Sequence, residues 1–216
     1  MNRIYEFLIS LVLVVALFAV VALFLPAKRT VQFQTESNRP ISTVYDVLNG
    51  FNRFDEWNVL RSDPLLKSQV SDPATGVGAK LSYSSLTRST GSGKWELVES
   101  VPDKLVKFKI EDNTQGHDKT LSIYLGRTGP NNKNTEIVEV YEVDYGWNML
   151  GRYAGLYLDR NIGDKMKSGG KRLNTFLATI PKLSYADREN PISFIDLPAT
   201  NVLTATVIAK RDNNEI

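Results

Sequence analysis

The spacing of hydrophobic positions changes along the chain, and each change marks an element. Phe7 to Leu25 reads FLISLVLVVALFAVVALFL, nineteen residues with no charge and one hydroxyl, Ser10. As a helix, such a run rises about 28 Å, close to the hydrocarbon thickness of a bilayer. It is apolar all round and lies at the extreme N-terminus, which argues against a buried core helix. A cleaved signal peptide has a shorter apolar core and small residues before its cleavage site. This run instead ends Leu23-Phe24-Leu25-Pro26, so an uncleaved anchor over residues 1–28 is expected, meeting the membrane through residues 7–25.

The following stretch, Arg29–Glu36, alternates, with Val31, Phe33 and Thr35 on one face, and predicts a half-buried strand. Asn38 to Ser42 then signals a turn and a helix start with Ser42 as N-cap, and Val44, Tyr45, Val47 and Leu48 follow at helical spacing up to Gly50. Phe51–Asn58 predicts a second short helix, with Phe51, Phe54 and Trp57 in register.

From Gly76 the period becomes two. Leu81 and Tyr83, then Trp95 and Leu97, then Val106, Phe108 and Ile110, mark successive inward faces. Leu121, Ile123 and Leu125, and finally Ile137, Tyr141, Val143 and Tyr145, continue the series. Turn clusters separate the runs, which predicts an antiparallel meander of five or six strands. Asn148–Thr179 reads as one long helix, its stripe formed by Leu150, Tyr153, Leu156, Tyr157, Met166, Leu173, Phe176 and Leu177, with Pro181 ending it. Gly169-Gly170 reads as a kink or a close approach to the sheet. The class is α+β: an antiparallel sheet with one apolar face, covered by one long helix. Where the facing side chains do not fill the space between them, a cavity remains.

Composition mainly excludes. The chain has 216 residues and a formal net charge of +2, with no run of Lys and Arg to track phosphates, so nucleic acid is not an expected partner. There is no cysteine and one histidine, His117, which removes disulfides, thiolate nucleophiles and Cys-based metal sites. His117 lies in a turn cluster and reads as a solvated loop residue, as Asp55 and Glu56 read as a solvated helix face. Ser89–Lys94 is glycine-rich but lacks phosphate-loop spacing and precedes a strand. No metal or cofactor is expected, and nothing in the chain sets an oligomeric state.

In element order and in particular segments, the chain resembles the SRPBCC, or START-like, superfamily and within it the polyketide cyclase/dehydrase and lipid-transport group. The segments are Pro40–Asn49 (PISTVYDVLN), similar to the helix after strand one, and Phe51–Asn58, similar to the aromatic W-x-x-W helix with Phe54 in place of the first tryptophan. The third is Gly151–Asp159 (GRYAGLYLD) followed by Ile162-Gly163, similar to the start of the C-terminal helix. The resemblance covers about residues 29 to 179 and gives a domain at 29–180. It implies a helix-grip fold, a curved sheet around the C-terminal helix with a hydrophobic cavity between them. It does not imply a single activity.

It also implies an extracytoplasmic domain in a bacterial envelope. The charge count at the two ends of the anchor is a near tie between Arg3 and the amino terminus on one side and Lys28 and Arg29 on the other, leaning toward a cytoplasmic domain. Residues 181–216 fall outside the resemblance. Ile192–Ala209 holds two strand-like runs around Leu197-Pro198-Ala199, read either as the opening of a truncated effector-binding domain or as an extra edge hairpin.

Strand parity yields the candidate chemistry. Glu139 shares its face with Ile137, Tyr141, Val143 and Tyr145, and Glu99 follows Trp95 and Leu97 in the same way. A carboxylate in an apolar cavity is costly unless paired, and its pKa rises. Such a group serves as a general acid or base, or as a polar hook for a ligand. The competing reading of both is a β-bulge that turns the residue outward, or a place at a wet mouth. Arg152, near the start of the long helix, is in range to pair with one of them. The expected cavity walls are Tyr83, Trp95, Phe108, Glu139, Tyr141, Tyr145, Tyr153 and Tyr157, though aromatics at these spacings also serve as plain core. The leading expectation is a membrane-anchored binding module for a lipid-like or other hydrophobic small molecule, in carriage, sensing or sequestration. A cyclase/dehydrase-type enzyme using Glu139, and a non-binding structural or interaction protein of the envelope, are the alternatives.

Overall fold

The computed structural model describes residues 2–181, so the extension expected at 181–216 lies, from residue 182 on, outside the described residues. Helix α1, Asn2–Phe24, is the apolar run. Its stretch Arg3–Phe24 has a mean hydropathy of 3.2 and is almost wholly exposed, long and apolar enough to cross a membrane.

Seven strands follow: β1 (Lys28–Ser37), β2 (Lys67–Val70), β3 (Lys80–Ser84), β4 (Ser92–Val101), β5 (Leu105–Asp112), β6 (His117–Thr128) and β7 (Asn134–Asp144). They form one antiparallel sheet in the order β1-β7-β6-β5-β4-β3-β2. β1 reaches the far edge because α2 (Ile41–Leu48) and α3 (Phe54–Trp57) carry the chain across the sheet. β2 carries no alternation, and its residues Lys67, Ser68, Gln69 and Val70 are all exposed, as suits a short edge strand. The other strands bury one parity: Leu97, Val106, Phe108, Ile123 and Ile137 have no solvent exposure.

α2 begins at Ile41 with Pro40 in the cap position and no side-chain cap, so Ser42 does not cap it. Proline presets the extended entry that the serine was expected to supply. Asn58 supplies a cap one element later, where its side-chain oxygen accepts from the Leu60 amide at 2.9 Å and starts the 3₁₀ turn Val59–Ser62.

The C-terminal helix is not uniform. α4 (Met149–Ala154) runs into a 3₁₀ turn at Gly155–Tyr157, a π turn at Asp159–Gly163, and then α5 (Asp164–Thr179). The imperfect stripe is two faces of the helix, which a regular period of about 100° per residue already separates. Met166, Leu173 and Leu177 are buried, whereas Leu150, Leu156 and Tyr157 face outward. α5 runs straight through Gly169-Gly170, and a Cβ at Gly170 would stand 2.7 Å from the Phe33 ring, so the glycine permits close packing on β1. Arg39 closes the end of α5: its Nε donates to the Leu177 carbonyl at 2.8 Å and its Nη2 to that of Ala178 at 2.7 Å. The last-turn carbonyls lack full intrahelical pairing, and that of Leu177 also accepts from the Ile180 amide at 3.1 Å.

Beneath α2 and α3 the space is full. Phe51, Phe54, Trp57, Trp95 and Phe108 stack in a continuous aromatic cluster with centroid separations of 5.2 to 5.6 Å. This cluster fills one end of the interior, and the end toward the start of α5 is left open.

Candidate functional site

At that open end a cavity of about 440 Å³ lies between the sheet and α5. The sheet contributes Tyr83, Trp95, Glu139 and Tyr141, and the helix contributes Ile162 and Met166. Trp57 to Pro64 and the β3–β4 turn frame its mouth. Asp63 ties these two rims together, accepting from the Ser85 hydroxyl at 2.7 Å and the Thr87 hydroxyl at 3.2 Å. Hydrogen bonds from Thr90 and then Ser85 hold its carboxyl down at about 2.

Glu139 is placed by strand parity. It lies opposite Phe33 on β1 and Ile123 on β6, in an uninterrupted stretch of ladder, so its side chain points inward. It is 4% exposed and has no hydrogen-bond or ion-pair partner among the described residues. Burial alone pushes its pKa up from 4.5 to about 7. At neutral pH the group is poised between donating a hydrogen bond as an acid and accepting one as a carboxylate. Burial, reinforced by the Asp112 charge, pushes the Tyr83 phenol up to about 12 and raises that of Tyr141 as well, so both hydroxyls stay protonated. The indole Nε1 of Trp57 is also buried without an acceptor.

The other expected wall residues stand elsewhere. Phe108 has no exposure and sits in the aromatic cluster, 5.6 Å from the Phe51 and Trp95 centroids, so it supports the floor without reaching the cavity. Tyr145 is wedged under α4, where a Cβ at Gly151 or Gly155 would come within 2.8 Å of its ring. Tyr153 reaches away to α1, its hydroxyl donating to the Phe18 carbonyl at 2.8 Å. Tyr157 is outside, beneath the Arg160 guanidinium at 5.4 Å. At about 100° per residue, Tyr153 and Tyr157 fall roughly opposite Met166 and Leu173, so the expected single stripe joined two faces of the helix.

Glu99 is exposed, because a register shift between Leu97 and Glu99 inserts an extra residue and flips the parity. Arg152 pairs with neither carboxylate. Its Nε and Nη2 donate to the Gly146 carbonyl and its Nη1 to carbonyls at the end of α1. His117 opens β6, exposed, with Nδ1 2.8 Å from Asp118.

A buried ion pair was not anticipated. Asp112 lines the cavity, and Lys119, 2% exposed, pairs with it while donating to the Thr114 hydroxyl at 2.7 Å and carbonyl at 2.8 Å. Burial raises the Asp112 pKa, but hydrogen bonds from Lys119 and Thr114 outweigh it and hold the carboxyl below its usual range. Parity carried the signal: Asp112 continues the face of Phe108 and Ile110, and Lys119 that of Leu121 and Ile123. Among the described residues no cluster of His, Cys, Asp and Glu is arranged to hold a metal ion.

No known protein-family profile matches the sequence, and no curated protein does. Solved structures do share its chain path. Norcoclaurine synthase from Thalictrum flavum, in complex with dopamine and hydroxybenzaldehyde, superposes with a TM-score of 0.54 at 12% identity, covering 72% of this chain and 90% of that one. A structural-genomics protein from Chromobacterium violaceum gives 0.50 at 14% identity, covering 68% and 96%. Another, from Bacillus thuringiensis, gives 0.50 at 10% identity, covering 69% and 99%. At such identities the likeness concerns architecture alone, and the architecture of this chain is α+β of the helix-grip kind: a curved antiparallel sheet gripping a C-terminal helix.

Proposed function

We propose that the domain is a binding module for a lipid-like or other apolar small molecule, held between the sheet and α5 and tethered to a membrane by α1. The observation that carries this reading is an apolar cavity of about 440 Å³ with an unpaired carboxyl, Glu139, in its wall. That volume falls within the roughly 300–1,000 Å³ of small-molecule sites, which are mostly apolar with few polar groups. Burial of a guest's apolar surface supplies about 25 cal/mol per Å². Glu139 lines the cavity with no hydrogen-bond partner among the described residues, so the guest that fits has an apolar body and a polar end able to meet a carboxyl. A neighbour of the same fold was solved with dopamine and hydroxybenzaldehyde, a precedent for small guests. Native mass spectrometry of the full chain, released from gentle detergent, is expected to show a bound small molecule of defined mass. Substituting Trp for Met166, which fills the cavity from α5, is expected to remove it. A chain that is always empty and insensitive to that substitution rules the reading out.

The Glu139 pKa of about 7 favours a second reading, acid–base catalysis of the cyclase/dehydrase type. General acid–base groups work best with a pKa near the operating pH. If the domain turns its guest over, Glu139→Gln is expected to abolish turnover by about 10²–10⁴-fold while the guest still binds. Unchanged turnover in that variant excludes Glu139 as the acid–base group.

A further inference from the structure

Between β7 and the π turn, the chain exposes Trp147, Met149, Leu150, Leu156 and Tyr157, with Trp147 83% and Leu150 77% exposed. This is the segment that holds α1. The Arg152 Nη1 lies 3.2 Å from the carbonyls of Ala22, Leu23 and Leu25 at the end of the helix, of which that of Ala22 also accepts from the Leu25 amide at 3.3 Å. A cation there also complements the helix dipole. Tyr153 adds its hydrogen bond to Phe18 and packs on the Phe18 ring, with centroids 5.7 Å apart. α4 is therefore fixed beside the last two turns of α1.

Phe18 lies seven residues before Leu25, so its carbonyl sits about 10 Å along the helix from the end of the apolar run. If α1 spans the bilayer, α4 is carried to that depth with it. Interfacial helices bury their apolar face about 5–10 Å into the headgroup and acyl boundary. The chemistry of the segment matches this zone: Trp147 lies against the Arg152 guanidinium at 5.9 Å and Tyr157 against that of Arg160 at 5.4 Å. Aromatic rings and snorkelling cations are the residues enriched at membrane–water interfaces. In lipid, unpaired backbone carbonyls cost several kcal/mol each, which gives the Arg152 clamp a further purpose.

We infer that Trp147–Tyr157 forms a second membrane contact, a docking face that enters the interfacial zone of the bilayer and fixes the domain against its surface. This rests on the reading of α1 as a membrane span. Patches of exposed apolar side chains of this kind mark interaction surfaces, and continuity with α1 selects lipid as the occupant.

Of the three tryptophans, Trp57 and Trp95 are buried in the core, so Trp147 alone reports the surface. The full chain is reconstituted into phosphatidylcholine vesicles with acyl chains brominated either near the glycerol end or near the methyl end. Emission from Trp147 is expected to shift to the blue and to lose intensity, more with shallow bromine than with deep. Trp147→Phe is expected to remove the quenchable component. Leu150→Glu is expected to abolish quenching while the chain still floats with the vesicles. Flotation with no quenching beyond that of Trp147→Phe overturns the docking face and leaves the anchor standing. A chain that does not float overturns the anchor and the docking face with it. Protection of Trp147 without bromine quenching, rising with the protein-to-lipid ratio, assigns the face to a second copy and overturns the lipid assignment.

Discussion

Glu139→Leu stabilises the protein at pH 8 by about 3 kcal/mol and removes a fall in stability that the parent chain shows between pH 4.5 and about 7. Across that window the folded protein keeps a proton that the unfolded chain has released, so folding grows less favourable as pH rises. The effect is complete above the folded value. Below 4.5 both states hold the proton and the term vanishes. The raised pKa has one cause, burial without a partner, so removing the carboxyl removes the whole effect. Urea unfolding followed by tryptophan emission at pH 5 and pH 8 measures it. Parallel pH profiles for parent and variant sink the claim that Glu139 is a buried, unpaired acid. A residue whose removal stabilises the fold is kept for something other than the fold, and a guest in the cavity is the proposed reason.

Lys119→Met costs about 3–5 kcal/mol at neutral pH, the penalty for removing one partner of a buried ion pair. Methionine preserves most of the apolar stem, so the loss reads the charge and its hydrogen bonds to Asp112 and Thr114. Adding Asp112→Asn recovers much of the loss, because the stranded carboxylate is then gone. Denaturant midpoints of the parent, both single variants and the double variant form the cycle that isolates the pair. Additive losses would show that the pairing contributes little. Asp112 also lines the cavity, so the lone Lys119→Met variant is expected to hold its guest less tightly as well.

Strand parity was the legible part of the chain. Uninterrupted ladders copy sequence period into inward and outward faces, so parity points Tyr83, Trp95 and Tyr141 inward, and Glu139 too once a bulge beside it is excluded by the ladder. At Glu99 the competing reading holds, since a bulge adds one residue and turns the side chain outward. The same parity reaches Asp112 and Lys119, which continue the inward faces of β5 and β6 and were not singled out in the sequence. β2 had no period to read, since it is an exposed edge. Helical positions were less secure: Tyr153 and Tyr157 were joined to a stripe whose buried members lie on the opposite face, and Arg152 was assigned by nearness in sequence. The framing of the cavity mouth by Asp63, Ser85 and Thr87 joins loops that no local pattern connects.

The wide turn at Asp159–Gly163 makes the C-terminal rod out of phase with itself. In a regular α-helix each residue advances the azimuth by about 100°. A π turn advances it less per residue, so side chains beyond it point to a different quadrant from those a regular helix would give. Ile162 belongs to the wide turn and to the cavity wall at once. Inserting or deleting a residue in this short stretch would rotate one half of the rod against the other, disturbing the outer edge and the chamber together.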